Sequence, residues 1–262
     1  TQMHMKLLRW LIHGLSDRVY MIEYQQLCLD LRCSGSYSFD SFVGSRHIVD
    51  VLKNIVSGSF CNHNIFISSR YCSGKTHLLK ATSQWCIDSG ASVIYIDMKD
   101  IARLSPEIFK GLSGVDLVCL DNINLVAGHV IWEEALFNLF NCMQEVKRPL
   151  VFSGNSFPRY IDFVLPDLKT RLCSCLCLEL DNLDDAEKII ILKNKAIEMG
   201  LNVSDDVLAY IINNSKRDVV SLLECLDFLS IESFTKMQRP TISIVKKYIN
   251  KITKGVYELG SI

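Results

Sequence analysis

Eight consecutive residues constrain this chain more than any others: Ser69, Arg70, Tyr71, Cys72, Ser73, Gly74, Lys75 and Thr76. They follow the apolar run at residues 64–68, which reads as a buried strand, and precede residues 77–85, which read as a helix. Strand, loop, Gly-Lys-Thr and helix in that order is the setting of a phosphate-binding P-loop. The residue types follow from the chemistry. Backbone N–H groups of the loop and of the helix N-terminus would face the phosphates. Lys75 would reach their outer oxygens, and the Thr76 hydroxyl would join the shell of a bound Mg2+. One position departs from the motif: Ser69 stands where the pattern has glycine.

A pattern this short recurs by chance, so the rest of the chain must supply its context. With 262 residues there is room for one large domain or two smaller ones, each with its own core. Hydrophobic residues at 49% and charged residues at 22% describe a globular protein. A formal net charge of -1 argues against a chain that grips nucleic acid through a strongly basic surface, so any DNA contact is expected to be indirect or weak. The 11 cysteines contain no pair of Cys-x-x-Cys elements, which argues against a zinc ribbon. Cys173, Cys175 and Cys177 alternate so as to place three thiols on one face of a strand. They read as small buried hydrophobes in a reducing cytoplasm, with metal capture as the alternative. The apolar stretch at residues 5–13 is too short for a membrane span and has no signal-peptide cleavage site after it. No membrane partner is expected. Residues 1–20 carry no functional signal, and Met21 is an alternative start.

Gln26, Leu27, Leu29 and Leu31 lie just before a Ser/Gly-rich linker at residues 33–38. Two readings are open: a tethered peptide that lies extended in a partner's groove, or an edge strand of its own domain. Beyond the linker a helix is expected over about residues 46–56, with a broad apolar face. Strands follow at residues 92–97, 116–121, 149–154 and 176–180, interleaved with helix patterns around residues 106–112 and over 131–146. The third of the five strands ends in Asp121, where a Walker B carboxylate would stand beside the Mg2+ held by Thr76. A turn aspartate is the alternative. The next residue is Asn122, which cannot take a proton as a carboxylate does, so slow hydrolysis of a firmly held nucleotide is expected. Asn155, at the end of the fourth strand, is a candidate sensor of the γ-phosphate or attacking water, or else a plain turn residue. Strand–helix alternation argues for a parallel, three-layered α/β sheet. From residue 181 the pattern is helical only, with helices expected over about 184–199, 204–213, 218–231 and 242–252. The expected domains are therefore a 1–38 tail, a 39–180 α/β domain and a 181–262 helical lid.

These residues together resemble the AAA+ family of the bacterial replication initiator DnaA, and within it the Hda subfamily of short regulatory inactivators. The residues carrying the resemblance are Ser69 and Arg70 opening the loop, the run 117–123, Ala127 and Gly128 with Trp132 and Glu133, residues 165–168 before Arg171 and Leu172, and the peptide at Gln26. The resemblance implies an AAA+ five-stranded sheet followed by a small all-helical lid. It implies a cytoplasmic, nucleoid-associated regulator that binds ADP or ATP with Mg2+, stimulates ATP hydrolysis on DnaA and so prevents re-initiation. By the same likeness, Arg171 falls at the arginine finger offered to a partner's ATP; a surface ion pair is the alternative. Gln26, Leu27, Leu29 and Leu31 match a motif for the DNA polymerase III β sliding clamp, with Asp30 where the motif usually has proline. Phe42 and Val43 match the linker that contacts adenine. Val220 occupies the place of the lid's sensor arginine, with Arg217 a turn away as a substitute. Self-association into homo-oligomers is left open. The alternatives are a self-acting AAA+ ATPase such as a DnaC-type helicase loader, or a truncated initiator, although no helix-turn-helix pattern follows the lid.

Overall fold

The computed structural model describes residues 37–55, 64–70, 73–101 and 105–259. These fall into two compact units.

The first unit, residues 37–40, 47–68 and 75–179, is built on a five-stranded sheet in the order β2-β3-β4-β1-β5. Its strands are β1 (Ile65–Ser68), β2 (Val93–Asp97), β3 (Leu117–Asp121), β4 (Leu150–Gly154) and β5 (Leu176–Glu179). Every neighbouring pair is parallel. Parallel strands need crossovers, which here include α2 (Lys75–Asp88), α4 (Val130–Glu145) and α5 (Pro166–Cys173). Two shorter helices, α1 (Arg46–Lys53) and α3 (Met98–Ile101), complete the set. Helices on the sheet faces explain why β1, β3 and β4 are buried at every residue and read as nearly unbroken apolar runs. The core is aromatic at its centre: the Phe152 ring lies 6.4 Å from Phe66 and 6.2 Å from Phe140, while Phe109 meets Trp132 edge-on at 5.6 Å. Helix α4 presents Trp132, Leu136, Leu139, Phe140 and Met143 to this core, as its apolar periodicity requires.

Two expectations are corrected in this unit. The helix pattern around Pro106 resolves into two short 3-10 turns, Pro106–Phe109 and Leu112–Gly114. Ser105 and Pro106 start the first, and Gly111 at φ 83° separates them, a conformation that a continuing helix does not allow. The three thiols do not share a strand face. Pro166 opens α5, which runs on through Cys173, so Cys175 falls in the following turn and only Cys177 lies on β5. Cys175 is buried and its thiol pushed up by that burial, whereas Cys173 is exposed.

The second unit, residues 180–259 with 41–46 and 69–74, holds four helices. Helix α6 (Asp185–Glu198) opens on a reciprocal capping box between Asp184 and Glu187 and stops at Gly200, whose φ is 67°. Helix α7 (Asp205–Asn214) precedes α8 (Val219–Lys236), which Asp218 caps by accepting from the Ser221 N–H at 2.9 Å. Nothing breaks α8 until Met237 adopts a left-handed conformation, so it outruns its expected end near residue 231. Helix α9 (Ile242–Leu259) is likewise longer than expected. Leu192, Leu208, Ile211, Leu226, Leu229 and Val245 form this unit's own core. Among the described residues, no helix is long and apolar enough to cross a membrane.

Candidate functional site

In a parallel sheet, ligands are received beyond the carboxyl ends of the strands. The chain-order reversal of β2-β3-β4-β1-β5 sets β4 next to β1, the strand that leads into the loop at residues 69–74, with β3 on the far side of β4. Strand register does the rest. Asp97 is paired with Asp121 across β2 and β3, and Leu120 with Phe152 across β3 and β4, so Ser153 follows alongside Asp121.

Asp121 is fully buried, and a buried carboxylate must be paired or richly hydrogen-bonded. Three hydroxyls serve it. Thr76, on the first turn of α2, donates to Oδ2 at 2.6 Å; Tyr95 of β2 donates to the same oxygen at 2.9 Å; Ser153 of β4 donates to Oδ1. Burial first, and then the Asp121 charge, push the Tyr95 phenol well above its ordinary range, which keeps its proton in place for this bond. Thr76, which directly follows the loop in sequence, and Asp121 thus meet without any other group between them. Mg2+ prefers one or two carboxylates, a hydroxyl, phosphate oxygens and water. No group of three or more His, Cys, Asp or Glu side chains that could hold a metal exists among the described residues, so a cation here would depend on phosphate oxygens. The donor set fits Mg2+ on those terms, with Thr76 and Asp121 as the protein's share.

Asn122 is held just as firmly. Its backbone is left-handed at φ 59°, its N–H donates to Ser153 Oγ at 2.8 Å, and its side-chain amide donates to Asp97 Oδ1 at 2.9 Å. Left-handed geometry suits asparagine better than most residues. From Asn122 the chain makes a 3-10 turn, Ile123–Val126, whose Asn124 accepts from the Asn155 N–H at 3.1 Å. Asn155 itself is exposed, with its amide oxygen 3.5 Å from the Ser156 hydroxyl.

The loop explains its unusual first position. Ser69 and Ser73 are buried, and their hydroxyls join at 2.6 Å across the loop, so the serine that replaces glycine fastens the turn. Gly74 has φ 93°, and a Cβ there would come to 3.0 Å of the Phe42 ring. Phe42 is 7% exposed and wedged between Gly74 and Gly44, so its ring shapes the loop from beneath; Val43 beside it is half-buried. Lys75 is the first residue of α2 and half-buried, and Arg70 is exposed. Tyr71 and Cys72 lie outside the described residues, as do Gln26, Leu27, Leu29 and Leu31. In the second unit a cavity of about 350 Å3 is lined by Ser73, Leu183, Lys188, Arg217 and Val219. Val220 is 47% exposed.

Arg171 sits in the last turn of α5, half-buried, with Nη1 donating to Gln144 Oε1 at 3.2 Å. The approach to α5 is anchored by Glu133. This buried carboxylate accepts from the N–H of Gly128 at 2.7 Å, of Val164 at 3.1 Å and of Leu165 at 2.7 Å.

Sequence reasoning passed over Tyr95, Ser153 and Asp97. The signals were slight: a hydroxyl in the otherwise apolar β4, and a tyrosine two places before a strand-ending aspartate.

The profile of the bacterial DnaA ATPase domain matches residues 34–179, more than half of the chain, and that of the Hda lid domain matches residues 185–249. The chain belongs to the DnaA family of AAA+ proteins. A Haemophilus influenzae protein, itself uncharacterized, is 35% identical over 230 residues, which are 86% of this chain and 99% of that relative. Solved structures share the fold. Domain III of the Thermotoga maritima replication initiation protein DnaA superposes with a TM-score of 0.70 at 18% identity, covering 81% of this chain and 95% of that one. AMPPCP-bound DnaA from Aquifex aeolicus gives 0.67 at 22% identity, over 85% and 71% of the two chains. The α/β sheet and helical lid are thus those of a DnaA-type AAA+ protein, and nucleotide and Mg2+ binding go with that membership.

Proposed function

We propose that this DnaA-family protein is a nucleotide-holding regulator of the replication initiator DnaA rather than an ATPase working for itself. The observation that carries the reading is the residue after Asp121. Asn122 offers an amide where a carboxylate would be needed to take a proton from attacking water, and that amide is already bound to Asp97. The lid, which matches the Hda lid domain, supports the same assignment.

In this reading the loop N–H groups and Lys75 bind the phosphates of ADP, while Thr76 and Asp121 hold Mg2+, which supplies charge neutralisation on the phosphate oxygens. Tyr95 and Ser153 keep Asp121 oriented. Bound nucleotide fixes the shape of the α/β unit, and Arg171 at the end of α5 reaches the ATP held by DnaA. There its guanidinium stabilises charge developing on the transferred phosphoryl group, an effect of about 10^3–10^5 in rate for such fingers. Gln26, Leu27, Leu29 and Leu31 tether the protein to the sliding clamp on DNA, so that inactivation follows clamp loading.

The test is ATP hydrolysis by DnaA with clamp-loaded DNA, with and without this protein. Stimulation should appear with the wild type and drop about 10^3-fold with Arg171→Ala, while ADP affinity stays unchanged. Undiminished stimulation by that variant would remove the finger role. Stimulation that is equal without the clamp would remove the tether. Rapid ATP turnover by the protein alone would instead favour a self-acting ATPase.

A further inference from the structure

Strands β2 and β3 end level with one another, and each ends in an aspartate, Asp97 paired in register with Asp121. The two carboxylates are employed differently. Hydroxyls take up the oxygens of Asp121, whereas Oδ1 of Asp97 accepts two N–H groups, the backbone of Lys99 at 2.9 Å and the side-chain amide of Asn122 at 2.9 Å. The Lys99 bond is local and closes the turn from β2 into α3. The Asn122 bond reaches across to the end of the next strand, and the turn does not need it.

Asn122 is fixed from the other side as well. Its left-handed backbone, with φ 59°, donates its N–H to Ser153 Oγ of β4 at 2.8 Å. With the backbone held toward β4, the side chain leaves in one direction and meets Asp97 on β2. Both residues are half-buried, so water screens the contact only in part. The contact is also one-sided in its chemistry. A carboxylate offers only acceptors, so a donor must face it at that distance. The Asn122 amide is such a donor. A carboxylate in its place would set oxygen against oxygen and charge against like charge.

We propose that Asp97 decides what position 122 can carry: it holds the Asn122 amide and bars a carboxylate from the place where attacking water would need one. The proposal rests on the nucleotide-holding role above and adds the residue that enforces it. Slow hydrolysis is then the property of a pair on two neighbouring strands rather than of one altered residue. Asp97 acts through Asn122 and is a positioning residue.

The pair is tested by exchange. In the nucleotide-free full chain, Asn122→Asp should lower the melting temperature by roughly 5 °C. Combining it with Asp97→Asn puts a donor opposite an acceptor again and should recover most of that loss. Asp97→Ala should lower the melting temperature of the wild type and raise that of Asn122→Asp, because it removes a partner from the first and a like charge from the second. ATP turnover by the exchanged pair should exceed that of the wild type about 100-fold and that of Asn122→Asp alone about tenfold. ADP affinity of Asp97→Ala should stay within about threefold of the wild type.

Melting temperatures that show no recovery on exchange overturn the proposal, as does an effect of Asp97→Ala with the same sign in both chains. Loss of ADP binding in Asp97→Ala overturns the positioning role. Equal turnover by Asn122→Asp and the exchanged pair also overturns it. Recovered stability without faster turnover upholds the pair and overturns instead the reading that the site holds its nucleotide for want of an acid at 122. Should the introduced charge prevent folding, Asn122→Ala, Asp97→Ala and their double variant repeat the cycle without it, and additive losses there overturn the proposal.

Discussion

Asp121 in the α/β unit and Asp185 in the lid are two carboxylates built in opposite ways. Asp121 has no exposure and is gripped by hydroxyls from α2, β2 and β4. Asp185 is half exposed and faces two cations across 3.5 Å and 3.9 Å. A buried charge is tolerated only where its partners are fixed in advance, so Asp121 is pre-organised and nearly immovable. An exposed one forms ion pairs that contribute little and rearrange readily. The first arrangement suits a fixed point for a cation, the second a contact that changes hands.

Three measurements bear on that contrast. Asp121→Ala should have the largest effect. It strands buried hydroxyl donors, destabilising the fold by about 3 kcal/mol and lowering the melting temperature by roughly 10 °C. A drop as small as that of Asp185→Asn, whose charge is exposed, would erase the distinction between the two sites. Tyr95→Phe removes one donor and leaves two, so about 1 kcal/mol is expected. Its sharper readout is the Mg2+ concentration that supports ADP binding, which should rise severalfold while binding in excess chelator is unaltered. If both change equally, Tyr95 does not act through the carboxylate.

The smallest effect belongs to a third carboxylate of intermediate kind. Asp116 is 44% exposed, accepts from the Ser92 hydroxyl at 2.6 Å and N–H at 2.9 Å, and lies 3.5 Å from Arg148. The Ser92 hydroxyl first and then its N–H hold the Asp116 carboxyl below its ordinary value against the opposing effect of burial, with a lesser contribution from the Arg148 charge. A depressed carboxyl contributes stability that is complete above about pH 4 and fades as the pH falls through the lowered folded-state value. Ser92→Ala should therefore be slightly less stable than the wild type at neutral pH. Urea melts should show the gap closing below about pH 4. A constant gap across that range would assign the loss to packing instead.

How far the sequence revealed this depends on whether a feature is local. The strand-ending Asp121, the five apolar runs and the starts of the capped lid helices are written in consecutive residues, and each lies where its pattern placed it. Tyr95, Ser153 and Asp97 matter only because parallel pairing sets three strands side by side in one register, which no single strand encodes. The thiols at 173, 175 and 177 misled for the same reason in reverse. Their period-two spacing is that of a strand, but α5 had not yet ended at Cys173. Around Pro106, Gly111 cut a helical pattern into 3-10 turns. Ser69, a departure from the motif, became intelligible only through its bond to Ser73.

Glu133 has a mechanical consequence. Its one carboxylate clasps the N–H of Gly128, just past the turn that follows Asp121 and Asn122, and the N–H groups of Val164 and Leu165, just ahead of α5. Drawing either strand of chain away would leave a buried charge short of partners, a penalty of several kcal/mol. The two segments are therefore pinned like links on a common rivet. A displacement imposed on the turn behind β3 would be delivered to the root of α5, the helix whose last turn carries Arg171.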